Sequence, residues 1–113
     1  MTEARMDWGR MRITVEGHAN AAKAGEDIVC AGISMMVNAL AGALEEAQER
    51  GRTTFTYERD DRAGRARIQA NPKMGSMAEI KAYFRMCVKG LKMVQAEYPK
   101  YIRVREEIGN GGI

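Results

Sequence analysis

The run IVCAGISMMVNALAGAL, from Ile28 to Leu44, is apolar nearly all the way round a helix and is interrupted mainly by Ser34 and Asn38. A helix with one apolar stripe needs one covering layer; a helix apolar on every side must be covered on every side. The chain has 113 residues, enough for one domain with a single modest core. A sheet can cover one side of this helix, and a second helix or a second subunit must cover the rest. Asp27 before the run is a good N-cap, and Gly51 after the polar EEAQER segment is a suitable terminator. No stretch reaches the roughly 18 consecutive apolar residues of a membrane span, and Met1 to Arg10 lacks a signal-peptide centre. A soluble, cytoplasmic protein with no membrane partner is the expectation.

The remaining segments supply the cover. RMRITVEG alternates, with Met11, Ile13 and Val15 on one face, as in a strand buried on one side. Thr2 to Met6 reads as a short partner strand turned at Asp7–Gly9, with Gly9 supplying the positive φ. His18 to Glu26 has small residues and no period, which reads as a loop. TTFTYE and RARIQA form a hairpin, followed by a connector from Asn71 to Ser76. Ser76 and Glu79 have capping-box spacing, and Ile80, Phe84, Cys87, Val88, Leu91 and Val94 make the stripe of a second helix. Tyr101 to Arg105 is a last strand. The predicted fold is a two-layer α+β domain over residues 1–105, with two helices packed on one face of a mostly antiparallel four- to five-stranded sheet. Residues 106–113 are expected to form a mobile tail.

The charge excludes little but favours some classes over others. The formal net charge is +3, and the central arginines from Arg50 to Arg67 are interleaved with Glu58, Asp60 and Asp61. That pattern suits a solvated hairpin, so direct nucleic-acid binding is not expected. One histidine and two distant cysteines offer neither a disulfide framework nor a zinc ligand set. Neither metal nor cofactor is expected.

With Asp27 as cap, Cys30 is the third helical residue, where unpaired N–H groups and the helix dipole favour a thiolate. His18, the only imidazole, stands before a loop that returns to that helix start, within reach of a proton-shuttling pair. The bland reading stays open beside this one: a small buried cysteine and a surface histidine. Cys87, in mid-stripe, reads as packing. Ser34 and Asn38 follow Cys30 on one helix face; the favoured reading of Ser34 is that it lines a polar cleft.

Gly17-His18-Ala19, a short loop and GEDIVCAGIS together resemble the signature of the ribosomal-processing cysteine proteases, the Prp family: GHA, a variable loop, then G-x-DIVCA-x-x-S. The matched positions are Gly17, His18, Ala19, Gly25, Asp27, Ile28, Val29, Cys30, Ala31 and Ser34. GLKMVQAEYPKYIRV, from Gly90, is similar to the family's closing helix and strand. After GHA the chain departs from the family, with Asn20, Ala21 and Ala22 where a glycine and an aromatic residue often stand. The resemblance implies a homodimeric α+β endopeptidase that removes an N-terminal extension from a large-subunit ribosomal protein of the L twenty-seven type. It implies Cys30 as nucleophile and His18 as acid/base partner, with Asp27 and Ser34 supporting the site and Gly17 and Gly25 bracketing a mobile loop. The alternatives are a ribosome-associated binding module, a redox-sensing thiol, an RNA-binding domain, or a protease acting on a phage structural protein.

Overall fold

The computed structural model describes residues 1–17 and 24–108, with the backbone alone for 24–27. The elements are β1 (Thr2–Asp7), β2 (Arg12–Glu16), α1 (Ala24–Glu49), β3 (Thr53–Asp60), β4 (Arg65–Pro72), α2 (Met77–Glu97) and β5 (Ile102–Glu107). The strands form one sheet in the order β3-β4-β2-β1-β5. Every pairing is antiparallel except that of β1 with β5, which is parallel. Both helices lie on one face, so the fold is the expected two-layer α+β arrangement with five strands.

Alternation sets the inner face of the sheet. Met11, Ile13 and Val15 are buried, as are Ala4 and Met6 on β1 and Ile68 and Ala70 on β4. The β1–β2 turn differs from expectation: the left-handed residue is Met11, with φ 49°, and not Gly9. The Asp7 carboxylate accepts from the Arg10 N–H and from its guanidinium, both at 3.1 Å, which closes the turn early. Burying the Met11 side chain then compensates a backbone conformation that L-residues usually avoid.

Helix α1 begins at Ala24, three residues ahead of the expected cap. Asp27 therefore lies in its first turn and not at the N-cap, and Gly25 lies inside the helix rather than at the end of a loop. The small residues that looked like a loop include alanine, the best helix former. On α1, Val29, Ile33, Val37, Leu40, Leu44 and Ala47 form the buried row; on α2 it is Ile80, Phe84, Cys87, Val88 and Leu91. Residues Ile28–Glu49 have the length and mean hydropathy (1.7) of a membrane span, yet this buried row packs as a core helix. Ile28 and Met35, 55% and 70% exposed, mark an outer face of α1 that neither sheet nor α2 covers.

Two ends differ from expectation. Ser76 precedes α2 but makes no side-chain cap bond. Glu79, its supposed capping partner, instead accepts from the Tyr83 hydroxyl at 2.6 Å and from Arg50 at 2.8 Å. These contacts, the Tyr83 bond foremost, hold its carboxyl below the usual range. Strand β5 runs through Glu106 and Glu107, assigned to the tail from sequence, because both residues pair with β1. The Trp8 N–H donates to the Glu107 carbonyl at 2.9 Å, and the Trp8 indole donates to Glu106, also at 2.9 Å.

The helices cross where Gly32 meets Val94 and Gly90 meets Met36. A Cβ at Gly90 would come within 2.5 Å of Met36 Cε and 2.6 Å of its sulfur. That neighbour is the free end of an adaptable side chain. Gly90→Ala is expected to change stability by less than about 1 kcal/mol, the helix-propensity gain offsetting the displacement of Met36. A thermal melt checks this.

Candidate active site

A cavity of roughly 180 Å³ opens between the N-terminal half of α1 and the ends of β2, β3 and β4. Cys30, Ser34 and Asn38 all line it, one turn apart on one helix face. Ile33 and Val37 contribute apolar wall, and Tyr57 closes the far side, its hydroxyl donating to Asn38 Oδ1 at 3.4 Å. Ser34 thus faces the cleft that its position suggested. Asn38, for which a structural bond and a place in the cleft were both open, has the two together.

Gly17 forms the lip of this cavity, and the structure explains why it is glycine. A Cβ there would lie 2.6 Å from Thr2 Cα and 2.9 Å from the Met1 carbonyl oxygen. The Gly17 N–H donates to Gly64 O at 2.9 Å, tying the end of β2 to the hairpin turn. His18 follows immediately and lies outside the described residues, as does the side chain of Asp27.

Cys30 is a free, partly exposed thiol. Because α1 starts at Ala24, Cys30 is in the second turn, and its own N–H falls within the helical ladder. It is therefore not the third helical residue beside the unpaired N–H groups of the helix start, as expected from sequence. Cys87 is the opposite case. It is 2% exposed, its sulfur contacts the Met36 carbonyl at 3.7 Å, and burial pushes its thiol up to about 12. At neutral pH it is an uncharged packing group.

The raised Cys87 value makes a testable prediction. Below the ordinary thiol value of 9.0, both folded and unfolded chains keep this proton. Between about 9 and 12 the unfolded chain loses it while the folded chain retains it, so stability falls as pH rises. Denaturant melts across that window should decline less steeply for Cys87→Ala than for the parent chain.

The sequence reading missed the far wall of the cavity. Tyr57, Arg59, Asp61 and Arg65 line it, although the arginines there had been assigned to a solvated hairpin. Arg59 pairs with Asp61 at 2.7 Å, and Arg65 with Glu16 at 3.3 Å. The Asp61 hydrogen bond, followed by its charge, holds the Arg59 guanidinium above its usual range. The missing signal was strand order: β4 pairs with β2, which carries the hairpin end to Gly17. No three metal-ligating side chains converge among the described residues.

A half-exposed thiol beside hydroxyl, amide and ion-paired groups, in a cleft between a core helix and a sheet end, is a setting of the kind thiol enzymes use. The chain belongs to the cysteine protease Prp family, whose model matches residues 1–103, and it is a cysteine protease. No curated protein matches the chain. Among solved structures it is similar to the ribosomal processing protease Prp from S. aureus in complex with a substrate peptide. Identity is 21% and TM-score 0.73, covering 95% of this chain and 100% of that one. The same S. aureus protease with a covalently linked product peptide gives 22%, 0.72, 95% and 100%. SMU.848 from Streptococcus mutans gives 19% and 0.72, with coverage of 94% and 91%.

Proposed function

We propose that this protease removes an N-terminal extension from a large-subunit ribosomal protein of the L twenty-seven type, using Cys30 and His18. The carrying observation is that the thiol inside the family signature is the one opening onto the cleft, while the other is sealed in the core. The S. aureus structures with substrate and product peptides support a peptide substrate. The Cys30 sulfur attacks the scissile carbonyl carbon and His18 takes the thiol proton. As the C–N bond breaks, His18 delivers that proton to the departing amine; water then hydrolyses the thioester and frees the sulfur.

Ser34 brings a hydroxyl to the same helix face one turn on, and Asp27, in the first turn of α1, is a site-supporting residue on this reading. Gly17 and Gly25 flank the segment that carries His18. The exposed outer face of α1, with Ile28 and Met35, supports a homodimer. The setting is cytoplasmic, and nucleic acid is not a direct partner.

Incubating the protein with an N-terminally extended ribosomal protein, beside Cys30→Ala and His18→Ala variants, tests the proposal. A shortened product with the parent chain alone supports it. No product with any extended ribosomal protein, but cleavage of a phage structural protein, would transfer the activity to that substrate. Binding without cleavage by all three chains would make the protein a docking module.

A further inference from the structure

Strand β3 is an edge strand, and its free edge leads into the cavity that holds Cys30. In an antiparallel pair, residues alternate between exchanging backbone bonds with their neighbour and pointing those groups away. Two bonds fix which residues do which here. The Lys73 N–H donates to the Arg52 carbonyl at 2.9 Å, so the pair 52/73 is bonded, and with it every even-numbered residue of β3. The Ala70 N–H donates to Met11 O on the opposite side at 3.0 Å, so its partner Phe55 belongs to the outward set. Phe55, Tyr57 and Arg59 therefore direct their N–H and C=O groups outward.

The far end of this edge is closed. The Phe55 N–H donates to the Gln48 side-chain oxygen at 3.2 Å. Tyr57 and Arg59 have no such cover among the described residues, and both line the cavity with Cys30. An edge with unpaired backbone groups is a template for another extended strand. Here one end is capped and the open end meets a thiol.

Resting on the protease reading, we propose that the substrate extension adds as a sixth strand to the β3 edge, bonding its backbone to Tyr57 and Arg59. Backbone pairing supplies affinity that does not depend on sequence, and alternate side chains supply specificity. Every second side chain of the bound segment then faces the helix layer beside Ser34 and Asn38. This pairing holds the chain extended as it passes Asp61 towards Cys30, with the Gln48 cap setting where pairing stops.

Arg59→Pro tests the proposal. Proline is tolerated on an edge strand where the lost N–H faces away from the ladder. Arg59→Ala removes the same side chain but keeps that N–H. For a peptide that the parent chain cleaves, Arg59→Pro is expected to lower kcat/KM at least tenfold below the value for Arg59→Ala, mostly through KM. Alkylation of Cys30 by iodoacetamide should stay within twofold in both variants.

Equal losses in the two variants would assign the effect to the side chain and overturn the proposal. So would unchanged cleavage by a folded Arg59→Pro. A fall in molecular mass of Arg59→Pro in sedimentation, with cleavage retained, would assign the edge to a second copy. Substrate peptides methylated at one backbone nitrogen at a time give the same reading without altering the enzyme: losses at alternate positions support pairing, and a flat response refutes it. Failure of the parent chain to cleave any peptide would instead remove the protease reading on which the strand addition rests.

Discussion

Cys30→Ala is expected to reduce kcat/KM on an N-terminally extended ribosomal protein by about 10⁴-fold or more while leaving the fold intact. Loss of a nucleophile removes the covalent route entirely, and in enzymes with a nucleophile–base pair the cost is of that order. The fold should survive because Cys30 is only partly buried and opens onto a cavity, so its removal leaves no sealed void. His18→Ala should fall to a similar rate, and the double variant should be no worse than either single one, because in the proposed mechanism the two groups act on the same proton. Cys87→Ala should do the reverse, costing stability through lost packing while cleavage per folded molecule persists. Rates measured at matched folded concentration, with melts of all four variants, separate the two outcomes. A Cys30→Ala chain that still cleaves would remove the thiol from the mechanism.

What the sequence disclosed follows from where local pattern and tertiary demand agree. The alternation of Met11, Ile13 and Val15 and the stripe from Ile80 to Leu91 are periodic enough that burial could only fall on those faces. The hairpin register follows from its own two segments, and Ser34 was placed by simple helical spacing from Cys30. Errors arose where one residue type carries two meanings. Alanine between His18 and Glu26 reads as a small loop residue or as the best helix former, and the latter held from Ala24. Gly9 looked like the turn residue, yet Asp7 capping of Arg10 shifted the left-handed position to Met11. Glu79 had the spacing of a capping partner but met Tyr83 one turn on in its own helix and Arg50 from beyond the end of α1, the second a contact no local window contains. Glu106 and Glu107 looked like tail because their partners, Met6 and Asp7, are nearly the whole chain away. The far wall of the cavity was hidden for the same reason. Arg59, Asp61 and Arg65 became site residues only once β4 was laid beside β2.

The glycine of the GHA signature gives the second large effect, and it contrasts with Gly90. At both positions an added Cβ would lie about as close to its nearest neighbour, 2.6 Å at Gly17 and 2.5 Å at Gly90. At Gly90 the obstacle is the tip of Met36, which can swing aside. At Gly17 it is Thr2 Cα and the Met1 carbonyl, which are main chain. That main chain is also held from the other side: the Thr2 N–H donates to Tyr101 O at 2.8 Å, and Thr2 pairs with Ile102 on β5. Gly17 itself is anchored to Gly64 O, so neither strand can yield without breaking a ladder. Gly17→Val is therefore expected to cost about 3 kcal/mol, at the upper end for overpacking, and to lower Tm by about 12 °C or more. Thr2, Gly17 and Gly64 all border the cavity, so activity should fall even below the melting transition. Comparing Gly17→Val with Gly90→Ala by calorimetry and by cleavage rate checks this. Equal, small shifts in the two would mean that the start of β1 is free to move, and that Gly17 is not held by the close approach of Thr2.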